Sequence, residues 1–187
     1  MTRKLLLISI LCGFAGVTGH AETLWHNVPQ KSLLAFTATW ESNAVPGRFT
    51  SFEVQLLTVH ATPRKLLVTV DIPSFRFRSP LLDHAARSRT WFDIRQFPKA
   101  RFSSMAFQKT GAPGAYQAHG ILEIKGIRHP FSIQFHLRQA GSGQLELVGT
   151  AQVTRTEFDI GTGPWKTSSV IGSGVSVRFE VRLVPNS

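Results

Sequence analysis

The chain has 187 residues, with 21 Lys and Arg against 11 Asp and Glu, a formal net charge of +10, one cysteine and 42% hydrophobic residues. That length suits one domain with a sizeable core, and a lone cysteine excludes a disulfide scaffold. The positive charge favours anionic partners such as a phospholipid surface or a phosphorylated ligand, while the lack of a recognition helix or an aromatic-basic RNA motif argues for no nucleic acid.

Arg3 and Lys4, the apolar run from Leu5 to Val17 and the small residues around Gly19-His20-Ala21 read as a secretory signal peptide over residues 1–21, cleaved after Ala21. The run falls short of the ~20 apolar residues that span a bilayer. Cys12 lies inside this run behind Leu11, where a lipid-modified cysteine would follow a small residue, so a lipoprotein is set aside. A domain over residues 22–187, without cysteine and exported to the periplasm, is expected.

From there the chain alternates. Leu34, Phe36, Ala38 and Trp40, then Phe52, Val54 and Leu56, then Leu66, Val68, Val70 and Ile72 each take every second position. Such a period of two marks strands with one apolar face. Pro80 and the stretch "LLDHAARSR" break the pattern and predict a short helix within 79–91. Alternation returns in Phe131, Ile133, Phe135 and Leu137, and in Val175, Val177, Phe179, Val181 and Leu183 against Ser176, Arg178, Glu180 and Arg182. Turn signals stand at Thr62-Pro63-Arg64, Gly111 to Gly114, Gly126 to Pro130 and Gly141 to Gly143. About eight strands at hairpin spacing predict an all-β antiparallel sandwich or barrel.

An outer-membrane barrel alternates in the same way with its apolar face outward. The varied apolar residues of 131–138, the small Gly149 and Ala151 on one face, and the helical insert favour the inward sense. His26, His60, His84, His119, His129 and His136 lack metal-ligand spacing and read as surface or turn residues, so no metal site is expected. Asp93 and Asp159 stand beside turns, where caps or salt bridges account for them. No nucleophile elbow, phosphate loop or dinucleotide fingerprint occurs, and Ser168 and Ser169 lack a strand-to-helix context.

Four blocks in order, "FTATWESNAVPGRFTSFEV" (36–54), "RSRTWFDIRQFPKARFSSMAF" (87–107), "YQAHGILEIKGIRHPFSIQF" (116–135) and "RTEFDIGTGPWKTSSVIGSGVSVRFEV" (155–181), resemble the YceI-like family of periplasmic isoprenoid-binding proteins. The chain departs from the family pattern at Trp40, Leu82-Asp83, Asp159 and Ser173-Gly174. The resemblance implies an all-β, antiparallel, lipocalin-like barrel of about eight strands with one short helix at the mouth. Its implied function is that of a periplasmic binding or carrier protein for a long isoprenoid lipid, a prenyl quinone or prenyl phosphate. No catalysis and no cofactor beyond the bound polyisoprenoid are implied. A lipid-modifying enzyme and a membrane-associated structural barrel are the alternatives, and a homodimer stays open.

On this reading Phe36, Trp40, Val70, Phe102, Phe131, Ile133 and Phe135, with Trp91, Phe92 and Trp165, form the ligand-binding wall and lid. Without the resemblance, packing that closes a barrel end is the favoured reading of Trp91, Phe92 and Phe102. Arg76, Arg78, Arg87, Arg89, Arg95, Lys99 and Arg101 are expected as a basic rim beside the mouth, against only Asp83 and Asp93. A solvated charged surface is the plainer reading of the same residues.

Overall fold

The computed structural model describes residues 22–141, 143–167 and 170–186. The expected signal peptide over 1–21 and the Ser168-Ser169 pair lie outside the described residues. The strands are β1 (Glu22–Asn27), β2 (Leu33–Trp40), β3 (Asn43–Phe49), β4 (Phe52–Val59), β5 (Thr62–Asp71) and β6 (Phe75–Phe77). One helix, α1 (Pro80–Ala86), precedes β7 (Lys99–Lys109), β8 (Ala115–Ile124), β9 (Ile127–Gln139), β10 (Leu145–Thr154) and β11 (Gly174–Pro185). All pairings are antiparallel.

Eight strands close a ring in the order β1-β4-β5-β7-β8-β9-β10-β11, with β11 returning to β1. The long β11 has two partners along one edge. Its first half pairs with β2, from Ser176 opposite Thr37 to Glu180 opposite Leu33, and its end pairs with β1, with Leu183 opposite Asn27. Pro29 breaks the chain between β1 and β2 into a single 3-10 turn, so the two strands share that edge end to end. From β2 the sheet continues through β3 to β6 as a three-stranded flap. Asn27 holds the split: its side chain donates to the Phe52 carbonyl at 3.2 Å and accepts from the Val54 N–H at 2.8 Å.

Three hairpins turn on two residues with positive φ, Glu41-Ser42, His60-Ala61 and Lys125-Gly126, the backbone that matches strand twist in a two-residue loop. Two turns expected from proline are therefore displaced by a few residues. Pro63 is fully buried inside β5 beside a bulge of β4, and the turn falls on His60-Ala61. Pro130 lies inside β9, opposite Ile121 of β8. β10 pairs with β9 only from Gln134 onward, so Pro130 has no ladder on that side to disrupt.

Helix α1 opens after Ser79 with Pro80 at its first position, as expected, but it stops at Ala86 rather than running to Trp91. The Thr90 carbonyl instead accepts the Gly161 and Thr162 N–H groups, each at 2.9 Å, and Ser88 takes the N–H of Trp91 at 3.0 Å and of Asp93 at 2.9 Å. Asp93 and Asp159 both adopt left-handed backbone, φ 46 and φ 50, and neither forms an ion pair among the described residues. Their role is to turn the chain, which aspartate tolerates better than most side chains.

Along the strands apolar positions face the interior and charged ones face out, the reverse of an outer-membrane barrel. The end of the barrel away from α1 is solid. There Phe135 stacks on Tyr116 at 5.7 Å and meets Phe107 edge-on at 6.3 Å, with Leu145 and Leu183 buried among the same strand ends.

Candidate functional site: an apolar cavity under the helix

The other half of the barrel is hollow. A cavity of about 480 Å³ opens beneath α1, and its wall is almost entirely apolar. Each strand contributes by its period: β2 supplies Leu34, Phe36, Ala38 and Trp40, β5 supplies Leu66, Val68 and Val70, and β11 supplies Val175, Val177, Phe179 and Val181. Phe102 of β7 and Phe131 and Ile133 of β9 extend the same wall, the two phenyl rings meeting edge-on at 6.2 Å. Leu81, Leu82, Ala85 and Ala86 of α1 form the cover.

The cover is fixed from below. Phe75 is completely buried, 5.7 Å from Phe92 and 5.8 Å from Phe77, and the Phe77 ring meets Phe36 edge-on at 5.1 Å. Asp83 accepts the Phe77 N–H at 2.7 Å, tying α1 to β6. Gly47 leaves room for Phe36, whose ring lies 2.3 Å from where a Cβ on that glycine would stand. A row of indoles borders the opening, with Trp165 6.1 Å from Trp40 and 6.3 Å from Trp91. Leu81 and Trp165 touch the cavity while remaining 76% and 36% exposed, which locates the mouth between them.

Of the wall residues expected from the sequence, Phe36, Trp40, Val70, Trp91, Phe92, Phe102, Phe131, Ile133 and Trp165 all border this cavity. Phe135 does not, being part of the aromatic fill at the opposite end. The basic residues divide. Arg76, Arg78, Arg89, Arg95, Lys99 and Arg101 are exposed on the segment that carries the cover, and Arg101 also adjoins the cavity wall. Arg87 is half-buried: it lies over the Phe75 ring at 5.0 Å and donates to the Pro73 carbonyl at 3.2 Å, so it serves packing.

Sequence reasoning missed Arg155. This side chain is only 2% exposed and borders the cavity, and burial pushes its guanidinium down from an ordinary value so high that the group stays charged. Its neighbours in "VTRTEF" are polar, and nothing in that pattern signals burial. Among the described residues no three groups are placed to hold a metal ion. His119 Nδ1 and Ser132 Oγ lie 2.8 Å apart, but the pair is exposed on the outer face of β8 and β9, and among the described residues no carboxylate forms an ion pair with the histidine.

A closed antiparallel barrel with an apolar interior cavity under a short helix is a lipocalin-like fold with room for an apolar ligand. Residues 25–183 match the YceI-like domain, and the chain belongs to that family. Among solved structures it is similar to BcnA of Burkholderia cenocepacia, with TM-score 0.78 and 24% identity over 83% of this chain and 98% of that one. A polyisoprenoid-binding domain from Saccharophagus degradans implicated in plant cell wall breakdown gives TM-score 0.68 at 12% identity, covering 87% and 98% of the two chains. The YceI protein of Campylobacter jejuni gives 0.67 at 16% identity, covering 75% and 84%. At these identities the likeness is one of fold. No curated protein matches the sequence.

Proposed function

We propose that this protein is a periplasmic carrier that binds a long isoprenoid lipid by burial and performs no covalent chemistry on it. The observation that carries this reading is the cavity of about 480 Å³ with its nearly continuous apolar wall. A lipid tail placed there gains about 0.8 kcal/mol for each methylene removed from water, before the cost of ordering it. The polyisoprenoid-binding domain from S. degradans supports the same ligand class. The leader expected over residues 1–21 supports the compartment. An enzyme is disfavoured because the His119–Ser132 contact faces solvent, away from the cavity. The test is native mass spectrometry of delipidated protein mixed with a prenyl quinone and, separately, with a prenyl phosphate. One bound lipid per barrel is expected, and no adduct of either at saturation would overturn the reading.

Loading and release proceed at an anionic membrane surface. The exposed Leu81 on the cover, with exposed Arg78, Arg89 and Arg95 on the same segment of chain, suits a cover that touches a bilayer with its apolar tip and holds anionic head groups with its bases. Such attraction decays over roughly 8 Å at physiological salt. Cosedimentation should therefore favour anionic over neutral vesicles, fall at high salt, and fall again in Arg78→Glu with Arg89→Glu, which spares the packed Arg87. Equal binding to both vesicles, or no loss in the double variant, contradicts docking.

A further inference from the structure

Arg155 gives this cavity one charged corner. Its Nε donates to the Gly172 carbonyl at 2.9 Å, Nη1 to the Ile160 carbonyl at 2.8 Å and the Gly161 carbonyl at 3.3 Å, and Nη2 to the Ile171 carbonyl at 2.8 Å. A guanidinium carries five N–H donors, so among the described residues one on Nη2 is left over. Gly161, at φ +77, makes this approach possible: a Cβ there would stand 2.6 Å from Nη1. The Trp91 ring lies 5.9 Å from the guanidinium carbon.

The partners are all neutral. Among the described residues no carboxylate forms an ion pair with Arg155, and no acidic side chain borders the cavity. A cation withdrawn from water beside an apolar wall lacks a counter-charge, and four carbonyl dipoles solvate it without neutralising it. Among the described residues the wall otherwise offers polar groups only at Thr39, Arg101 and the indole N–H groups of Trp40, Trp91 and Trp165. Thr39 belongs to the same corner, since its carbonyl accepts the Gly172 N–H at 2.9 Å. This corner is at the mouth end, where Trp40 bridges to Ile171 and Trp165 leans between Trp40 and Trp91. A ligand entering tail first, toward Leu66, Leu147 and Val181, would leave its head here.

We propose that the Arg155 corner is a head-group site for an oxyanion, so that the preferred ligand is a prenyl phosphate rather than a neutral prenyl alcohol or quinone. This rests on the carrier reading and selects within it. A phosphate oxygen accepts the spare N–H and supplies the missing negative charge in a water-poor site, where charge-assisted bonds are strong.

The test compares farnesyl phosphate with farnesol, which share one tail, in calorimetric titrations of the delipidated full chain. Farnesyl phosphate is expected to bind at least tenfold more tightly, with inorganic phosphate alone unable to displace it. Arg155→Lys should keep most of that preference and Arg155→Gln should bring the two affinities together. If Arg155→Gln does not fold, as circular dichroism would show, the ratio in the native protein and in Arg155→Lys decides. Equal affinities for the two lipids in the native protein overturn the head-group site and leave the carrier reading intact. Displacement by inorganic phosphate overturns it as well, in favour of a free-anion site. Binding of neither lipid overturns the carrier reading itself.

Discussion

Ile133→Arg is expected to yield a barrel that no longer copurifies with lipid. Ile133 sits in β9 opposite Ala118 of β8, is 8% exposed and borders the cavity together with apolar residues of β2 and β11. An arginine there would carry its charge into a wall with no acidic partner, and an unpaired buried charge costs several kcal/mol. Part of that cost is relieved if the guanidinium draws water into the hollow, which lets the barrel fold while making it hostile to an apolar tail. Leu147→Trp is the uncharged counterpart. Leu147 is 2% exposed and also borders the cavity, so an indole there fills space that the tail would use. Extracted lipid, measured per mole of protein, should fall to background in the first variant and clearly in the second. Unchanged lipid in folded Ile133→Arg contradicts the lining described here.

Phe75→Ala is expected to cost about 3–5 kcal/mol of stability, the range for a large aromatic removed from a well-packed core. Phe75 has no exposed surface and is the shared neighbour of Phe77, Phe92 and Arg87. β6 is only three residues long and pairs on one side, with β3, so this ring anchors more than its own strand. For a chain of this size the loss corresponds to a melting temperature lower by roughly 10 °C. The α1 cover should loosen with it, and lipid should exchange faster than from the native protein. A shift below ~3 °C with unchanged exchange contradicts the anchoring role.

How much of this could be read beforehand depended on what each signal measures. Period two identified the inward positions of β2, β4, β5, β9 and β11, because burial on one face is written directly into alternation. It could not tell how far along the barrel a residue lies. Phe131, Ile133 and Phe135 share one phase, yet the first two face the hollow and the third fills the closed end. β1 gave little signal in six residues, and its pairing with both β4 and β11 is a matter of ring closure that no local pattern encodes. Pro63 and Pro130 pointed to turns by composition, but both fit strands where the ladder is already interrupted or unpaired. Arg155 was hidden for a related reason. Its burial is made by carbonyls of residues 160–172, distant enough in the chain that a polar neighbourhood in sequence became an enclosed one in space.

The same holds for the stretch "TWFDIRQFPKARF". Its bulky residues stand outside regular strands because Trp91 and Phe92 close the mouth, while Phe102 already belongs to the wall of β7. The central claim, that this apolar space exists to hold a lipid, is tested most directly on protein purified without detergent from a periplasmic extract. Solvent extraction followed by mass spectrometry should recover one class of isoprenoid lipid at close to one molecule per barrel. Protein that is folded, soluble and free of any extractable amphiphile would contradict the claim.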